Sequence, residues 1–356
     1  MIGTGEGAAR LEVLRREPRL TIVHHADERG CWASRGRQIL FQRAPDEPWH
    51  PLARFPRARP LDRLAPLRLA SRALRIDRCN VYPTRAGGLL GIRAGTVYRI
   101  EGGRLAALGS VRGACLLNRA IAETGDGTLY FGEYLTNAER APIRVWRIAP
   151  DLSRMEAVHT FEGIRHVHAV QSDPFQPGRL WITMGDFDGE CFLHFTDDGF
   201  RTLERLGDGG QRFRTVNLVF GRERLTWLTD SELDPNHAVS MERATGAITL
   251  HGELASSCWY TARTSDGVLL ATTAVEPGPA IRTRHACVLH SRDGVRWREA
   301  ACFAKDRWPM GFFKYGTLSL PSGSFSSRRF WISGEALVGL DGGSLLCALS
   351  AEGQTD

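Results

Sequence analysis

The chain has 356 residues, 42% hydrophobic and 24% charged, with a net charge of +6. That supplies enough apolar material for a large core and excludes a disordered chain. No run approaches the ~18 consecutive apolar residues of a membrane helix, so no membrane partner is expected.

The first twenty residues mix Glu and Arg without an apolar export segment, which predicts a cytoplasmic protein. Residues 1–18 read as an N-terminal tail, and 19–356 as one all-β domain with a long Pro/Arg-rich connection at about 54–74. Along that domain a unit of roughly 40 to 50 residues recurs. Each unit has a short apolar strand, a Gly/Asp turn, a stronger aromatic-rich strand, a variable loop and a hairpin. The stronger strands are Gly30-Cys-Trp-Ala-Ser34, Leu89-Leu-Gly-Ile-Arg93, Leu129-Tyr-Phe-Gly-Glu133 and Leu180-Trp-Ile-Thr-Met184. They continue with Leu225-Thr-Trp-Leu-Thr-Asp230, Leu269 to Glu276 and Phe330-Trp-Ile-Ser-Gly-Glu335. β-branched and aromatic alternation marks all of these as strands. The pattern predicts an all-β single propeller of seven four-stranded blades, with six or eight as the neighbouring counts. Trp181, Trp227 and Trp331 recur at one register, which predicts packing between blades.

Eight cysteines are scattered without a CxxC pair, several inside apolar runs. That pattern argues for reduced, buried thiols and against a disulfide or zinc scaffold. The basic residues are almost all Arg, since Lys305 and Lys314 are the only lysines. Apart from a denser stretch between Arg54 and Arg78, the charge is diffuse. A nucleic-acid partner would want a basic stripe with stacking aromatics. An anionic small ligand suits guanidinium better.

In a propeller, inner strands begin and second strands end on one face. Five second strands here end in an acid: Glu133, Asp186, Asp230, Glu276 and Glu335, with Asp188, Glu190 and Glu232 close behind. The inner strands open with Asn118-Arg119, His166-Val-His168, Arg212 through Arg214, Tyr260 with Arg263, and Lys314-Tyr315. His166 and His168 lie two apart on a strand and so face one side. The pair suits a divalent metal, Mn or Zn, with Glu133 or Asp186 completing it. It equally suits a general base and its orienter. His24, His25 and His237 are weaker members. The predicted catalytic set is therefore His166, His168, Glu133, Asp186 and Tyr260. Arg119, Arg212, Arg214, Arg263, Asp230, Glu232, Glu276, Lys314 and Glu335 are the predicted substrate contacts.

Two turns carry a further signal. Ser291-Arg-Asp-Gly-Val-Arg-Trp297 joins two strand-like runs, and Thr196-Asp-Asp-Gly-Phe-Arg-Thr-Leu203 is a weaker relative. They resemble the Asp-box of sialidase-like (BNR repeat) β-propellers, where hydroxyl and Asp bonds hold a hairpin on the face away from ligand. The sialidase Arg-Ile-Pro motif is missing; Arg140-Ala-Pro-Ile143 departs from it. A second similarity, architectural and chemical, is to propeller-type polysaccharide lyases, including an oligogalacturonate lyase with a His-rich manganese site. These resemblances imply an enzyme that cleaves a glycosidic bond in a small or oligomeric acidic carbohydrate, as a hydrolase or a β-eliminating lyase. The alternative class is a non-catalytic propeller that binds a glycan or protein partner.

Overall fold

The second strands are apolar on both sides because each packs between two neighbouring sheets, so every residue from Leu129 to Gly132, Leu180 to Met184 and Leu269 to Val275 is buried. The computed structural model describes residues 9–350. Its strands form seven four-stranded antiparallel units in chain order. Blade 1 is Ile22–Asp27, Gly30–Arg35, Gln38–Gln42 and His50–Arg54. Blade 2 is Asn80–Pro83, Leu89–Arg93, Thr96–Glu101 and Arg104–Ser110. Blade 3 is Ala122–Glu123, Leu129–Gly132, Ile143–Ile148 and Met155–Phe161. Blade 4 is Val167–Ser172, Leu180–Met184, Cys191–Thr196 and Glu204–Gly209. Blade 5 is Leu218–Phe220, Arg224–Leu228, Asn236–Glu242 and Ile248–Leu254. Blade 6 is Cys258–Arg263, Leu269–Val275, His285–Ser291 and Arg298–Ala304. The protein is an all-β propeller.

Blade 7 corrects the expected N-terminal tail. Its inner three strands are Gly316–Ser319, Phe330–Glu335 and Gly343–Leu349, and its outermost strand is Leu11–Glu17 from the other end of the chain. The alternation of half-buried and exposed residues along Leu11–Glu17 is that of an edge strand. Residues 1–8 of the predicted tail lie outside the described residues. Between blades 1 and 2 the long connection holds a 3-10 turn, Pro60–Leu64, and helix α1, Arg68–Leu74. Helix α2, Met310–Phe313, precedes blade 7.

The core lies between blades. Trp181 and Trp227 join Leu193, Phe213, Leu218 and Val239 in a cluster shared by blades 4 and 5. Trp331 packs with Leu20, Val23, Ala33 and Leu40 where blade 7 meets blade 1. The expectation of reduced thiols throughout is corrected in blade 6. Cys287 and Cys302 sit directly opposite each other on its third and fourth strands and form a disulfide. The intervening hairpin aligns them, a register that Cys spacing does not reveal.

Two turns on the far face share one hydrogen-bond scheme. Ser291 Oγ accepts from the Gly294 N–H at 3.0 Å, and Asp293 Oδ1 accepts from Val295 and Arg296 N–H at 2.9 and 2.8 Å. Thr196 Oγ1 accepts from Phe200 N–H at 3.0 Å, and Asp198 Oδ1 from Arg201 and Thr202 N–H at 3.0 and 2.9 Å. No helix among the described residues is long and apolar enough to cross a membrane.

Candidate functional site

Blade 4 builds the densest cluster because its inner strand starts, and its second strand ends, at the same place. After Met184 the chain turns at Gly185, whose φ is +81° and whose added Cβ would lie 2.2 Å from the Glu190 carbonyl oxygen. Only glycine fits there, and the turn delivers Asp186 beside the start of the inner strand. His166 and His168 face each other with their Nε2 atoms 3.1 Å apart. The other nitrogen of each ring meets a main-chain carbonyl: His166 Nδ1 to Leu135 O at 2.7 Å, His168 Nδ1 to Thr215 O at 2.9 Å. A carbonyl can only accept, so each Nδ1 carries a hydrogen and each Nε2 points into the cluster.

Asp186 closes the group, with Oδ1 3.1 Å from His168 Nε2 and 3.5 Å from His166 Nε2. Its Oδ2 lies 2.8 Å from Arg165, and Arg214 reaches Oδ1 at 3.4 Å. Burial alone would raise the Asp186 pKa. The two imidazoles and Arg214 outweigh it and hold the carboxylate well below its ordinary range. Burial also lowers His168, against the opposing pull of Asp186. Two imidazoles and a carboxylate thus converge within ligand distance of one another.

Blades 5, 6 and 7 supply the opposite wall. Arg214 pairs with Glu232 at 2.6 Å. Asp230 is buried and its Oδ1 has no hydrogen-bond partner. Burial pushes Asp230 well above the carboxylate range; Arg214 opposes this, and Glu276, Asp186 and Glu232 add to it. Burial raises Glu276 as well, against bonds from Ser257 Oγ (2.5 Å) and Trp259 Nε1 (3.1 Å). Lys314 pairs with Glu335. Burial and the charge of Arg78 bring the Lys314 ammonium down to about 8. Glu335 is pulled the other way: burial would raise it, but Lys314, Arg78 and Arg68 hold it low. The backbone at Lys314 has φ 68° and ψ 168°, a region costly for anything but glycine.

These groups line one upper cavity of about 420 Å³. It gathers His166, His168, Asp186, Arg214, Asp230, Glu232, Glu276, Lys314 and Glu335 from the sequence-predicted set. It adds Arg75, Arg78, Tyr134, Arg165 and Trp259, which sequence reasoning missed. Tyr134 immediately follows Glu133 at the end of a second strand, so the register that singled out the acids also held the signal for it.

Five predicted residues sit elsewhere. Glu133 is fully buried, accepting from Arg112 N–H (3.0 Å), Arg144 N–H (3.1 Å) and Trp146 Nε1 (3.2 Å). Its carboxylate is consumed by blade 3 and the connection that leads into it. Arg119 donates to the Pro321 carbonyl and, with Arg263, lines a separate cavity of about 490 Å³ at the opposite mouth of the channel. Arg263 is the last residue of its inner strand, not the first. Arg212 is exposed and pairs with Asp208. Tyr260 lines a smaller chamber of about 120 Å³ beside the upper cavity. Among the weaker members, His25 bonds Ser322 (2.8 Å) and Asp27 (3.0 Å), His24 bonds Ser34, and His237 bonds the His251 carbonyl.

No protein-family model matches the sequence, and no curated protein matches it. The fold is similar to the solved structure of YCF48 bound to D1 peptide, at 11% identity, over 98% of this chain and 97% of that one, with TM-score 0.55. It is similar to U3-55K at 12% identity, 97% and 100% coverage and TM-score 0.53. It is also similar to the extracellular domain of the putative one-component system BT4673 from B. thetaiotaomicron, at 9% identity and TM-score 0.58. That match spans 98% of this chain and 44% of the other. At such identities the likeness speaks for the propeller fold and does not single out its sialidase-like branch.

Proposed function

We propose that the protein is an enzyme that cleaves a glycosidic bond in an acidic saccharide held in the upper cavity, by β-elimination. The observation that carries this reading is that one cavity holds Lys314, whose ammonium is brought down to about 8, and Asp230, a buried carboxyl with an unpartnered oxygen that is pushed well above the carboxylate range. Hydrolysis would need an ionised carboxylate free to attack the sugar or activate water. Three carboxylates of the cavity are tied to cations: Asp186 to Arg165, Glu232 to Arg214 and Glu335 to Lys314.

In elimination, Lys314 in its neutral form takes the proton on the carbon next to the uronate carboxylate. The electrons of that C–H bond form the new C=C bond, and the adjacent C–O bond breaks. Asp230 gives its proton to the departing oxygen. Arg75 and Arg78 provide the cations that grip the substrate carboxylate.

His166, His168 and Asp186 fit a divalent ion, Mn or Zn. Two Nε2 lone pairs 3.1 Å apart repel unless a proton or a cation lies between them, and burial disfavours the proton. When bound, the ion supplies a Lewis acid for the substrate carboxylate. Incubation with a panel of acidic oligosaccharides tests the reading. New ultraviolet absorbance from an unsaturated product supports it. New reducing ends without absorbance would make the protein a hydrolase. Binding with neither product would make it the non-catalytic glycan- or protein-binding propeller.

A further inference from the structure

The charge that looks diffuse along the sequence is gathered by the fold. A cleft of about 760 Å³ opens on the cavity face between blades 7 and 1, under the connection that carries α1. Arg19 enters it from the turn before blade 1, Arg35 and Arg37 from the hairpin after the second strand of that blade, and Arg54, Arg57 and Arg63 from the connection. Five of the six are exposed and Arg37 is half-buried.

The acids in the cleft are committed elsewhere. Asp62 is held by Arg93 (2.9 Å), Asp77 by Arg68 (2.7 Å), and Asp341 by Arg68 (2.8 Å) and Arg72 (3.2 Å). Among the described residues, no ion pair links any of the six arginines to a carboxylate. Like charges gathered this way without counter-ions raise the energy of the free protein and are relieved by an anionic ligand. Arg37 registers the crowding: burial lowers its pKa first, then the charges of Arg54, Arg93 and Arg57.

Two more observations narrow the ligand. Among the described residues no aromatic ring lines the cleft, whereas single-stranded nucleic acid is held by base stacking as well as charge. The cleft also adjoins the upper cavity through shared walls. Thr21, Arg68 and Asp77 line both the cleft and the small chamber of about 120 Å³, and that chamber shares Arg78, Tyr134, Lys314 and Glu335 with the cavity.

We propose that this arginine cleft binds the continuation of an extended acidic saccharide, so that the natural ligand is an oligomer with several anionic groups. The direction of the chain, from cavity to cleft, rests on the saccharide reading of the cavity. The existence of a polyanion site does not.

Calorimetry with tetragalacturonate, a heparin-derived tetrasaccharide, galacturonic acid, maltotetraose and an eight-residue oligothymidylate tests it. The variant is R54A/R57A/R63A, three exposed positions. Expected is binding of one or both acidic tetrasaccharides that weakens with salt and falls about tenfold or more in the variant. Galacturonic acid, confined to the cavity, should bind the variant and the unmodified protein equally. The tighter acidic tetrasaccharide identifies carboxylate or sulfate as the recognised group. Unchanged tetrasaccharide affinity in the variant, or maltotetraose binding as tightly as the acidic sugars, would overturn the proposal. Tighter oligothymidylate binding that the variant loses would reassign the cleft to nucleic acid. Loss of tetrasaccharide binding in the variant, in a protein that does not bind galacturonic acid, would leave the cleft standing and sink the cavity reading.

Discussion

His168 concentrates the site's chemistry, since its ring is shared by a main-chain carbonyl, a second imidazole and Asp186. His168→Ala should abolish turnover while the melting temperature stays nearly unchanged, read by the ultraviolet assay and by calorimetry. Unfolding with activity retained per folded molecule would make the histidines structural. Asp230→Asn keeps the shape and removes the proton. It should cost roughly 10²- to 10⁴-fold in kcat, while the melting temperature at neutral pH rises, because folding no longer has to protonate a carboxyl whose pKa burial raises. Lys314 sets the pH dependence. A base works deprotonated, so kcat/KM should climb as pH rises through about 8, and fall again where Asp230 ionises. Lys314→Arg, a cation that keeps its proton, should be inactive at every pH. The histidine pair was legible because strand alternation places residues two apart on one side. Glu133 was not. Like Asp186 it follows a second strand, but the amides of Arg112 and Arg144 and the indole of Trp146 claim its carboxylate, and sequence does not display that competition.

At the scale of elements, period-2 alternation and buried second strands made the blades readable, and Trp227 illustrates what they do. It is 1% exposed, stacks with Phe213 and donates to the Arg212 carbonyl at 2.8 Å. Trp227→Ala should destabilise the fold by about 3 to 5 kcal/mol, and chemical denaturation that matches the unmodified protein would refute this. Leu11–Glu17 was harder to read. A short amphipathic segment is a strand only if an edge receives it, and its edge, Gly343–Leu349, lies at the other end of the chain. Deleting residues 1–17 should therefore lower the melting temperature markedly, where removal of a loose tail would change nothing. Arg263 went astray for a related reason. Its strand was recognised, but the side chain stands at the strand's last position and emerges at the opposite mouth.

Across the whole molecule, the two faces differ: the ionisable cavity and the arginine cleft open on one side, the hydroxyl–Asp turns on the other. The face was predictable, because chain direction in a propeller fixes which strand ends meet. The cleft was not, because Arg19, Arg35 and Arg37 join Arg54, Arg57 and Arg63 only through the curl of blade 1. Blade 7 has a further consequence, for the order of events during synthesis. Arg10 and Ser350 hydrogen-bond across 340 residues of sequence. Until the ribosome has released the strand Gly343–Leu349, nothing can cover Leu20, Val23, Ala33 and Leu40 of blade 1, which the finished protein seals with Trp331 and Leu346. The nascent chain must carry that apolar flank bare while blades 1 to 7 are translated, a standing invitation to chaperones and to aggregation.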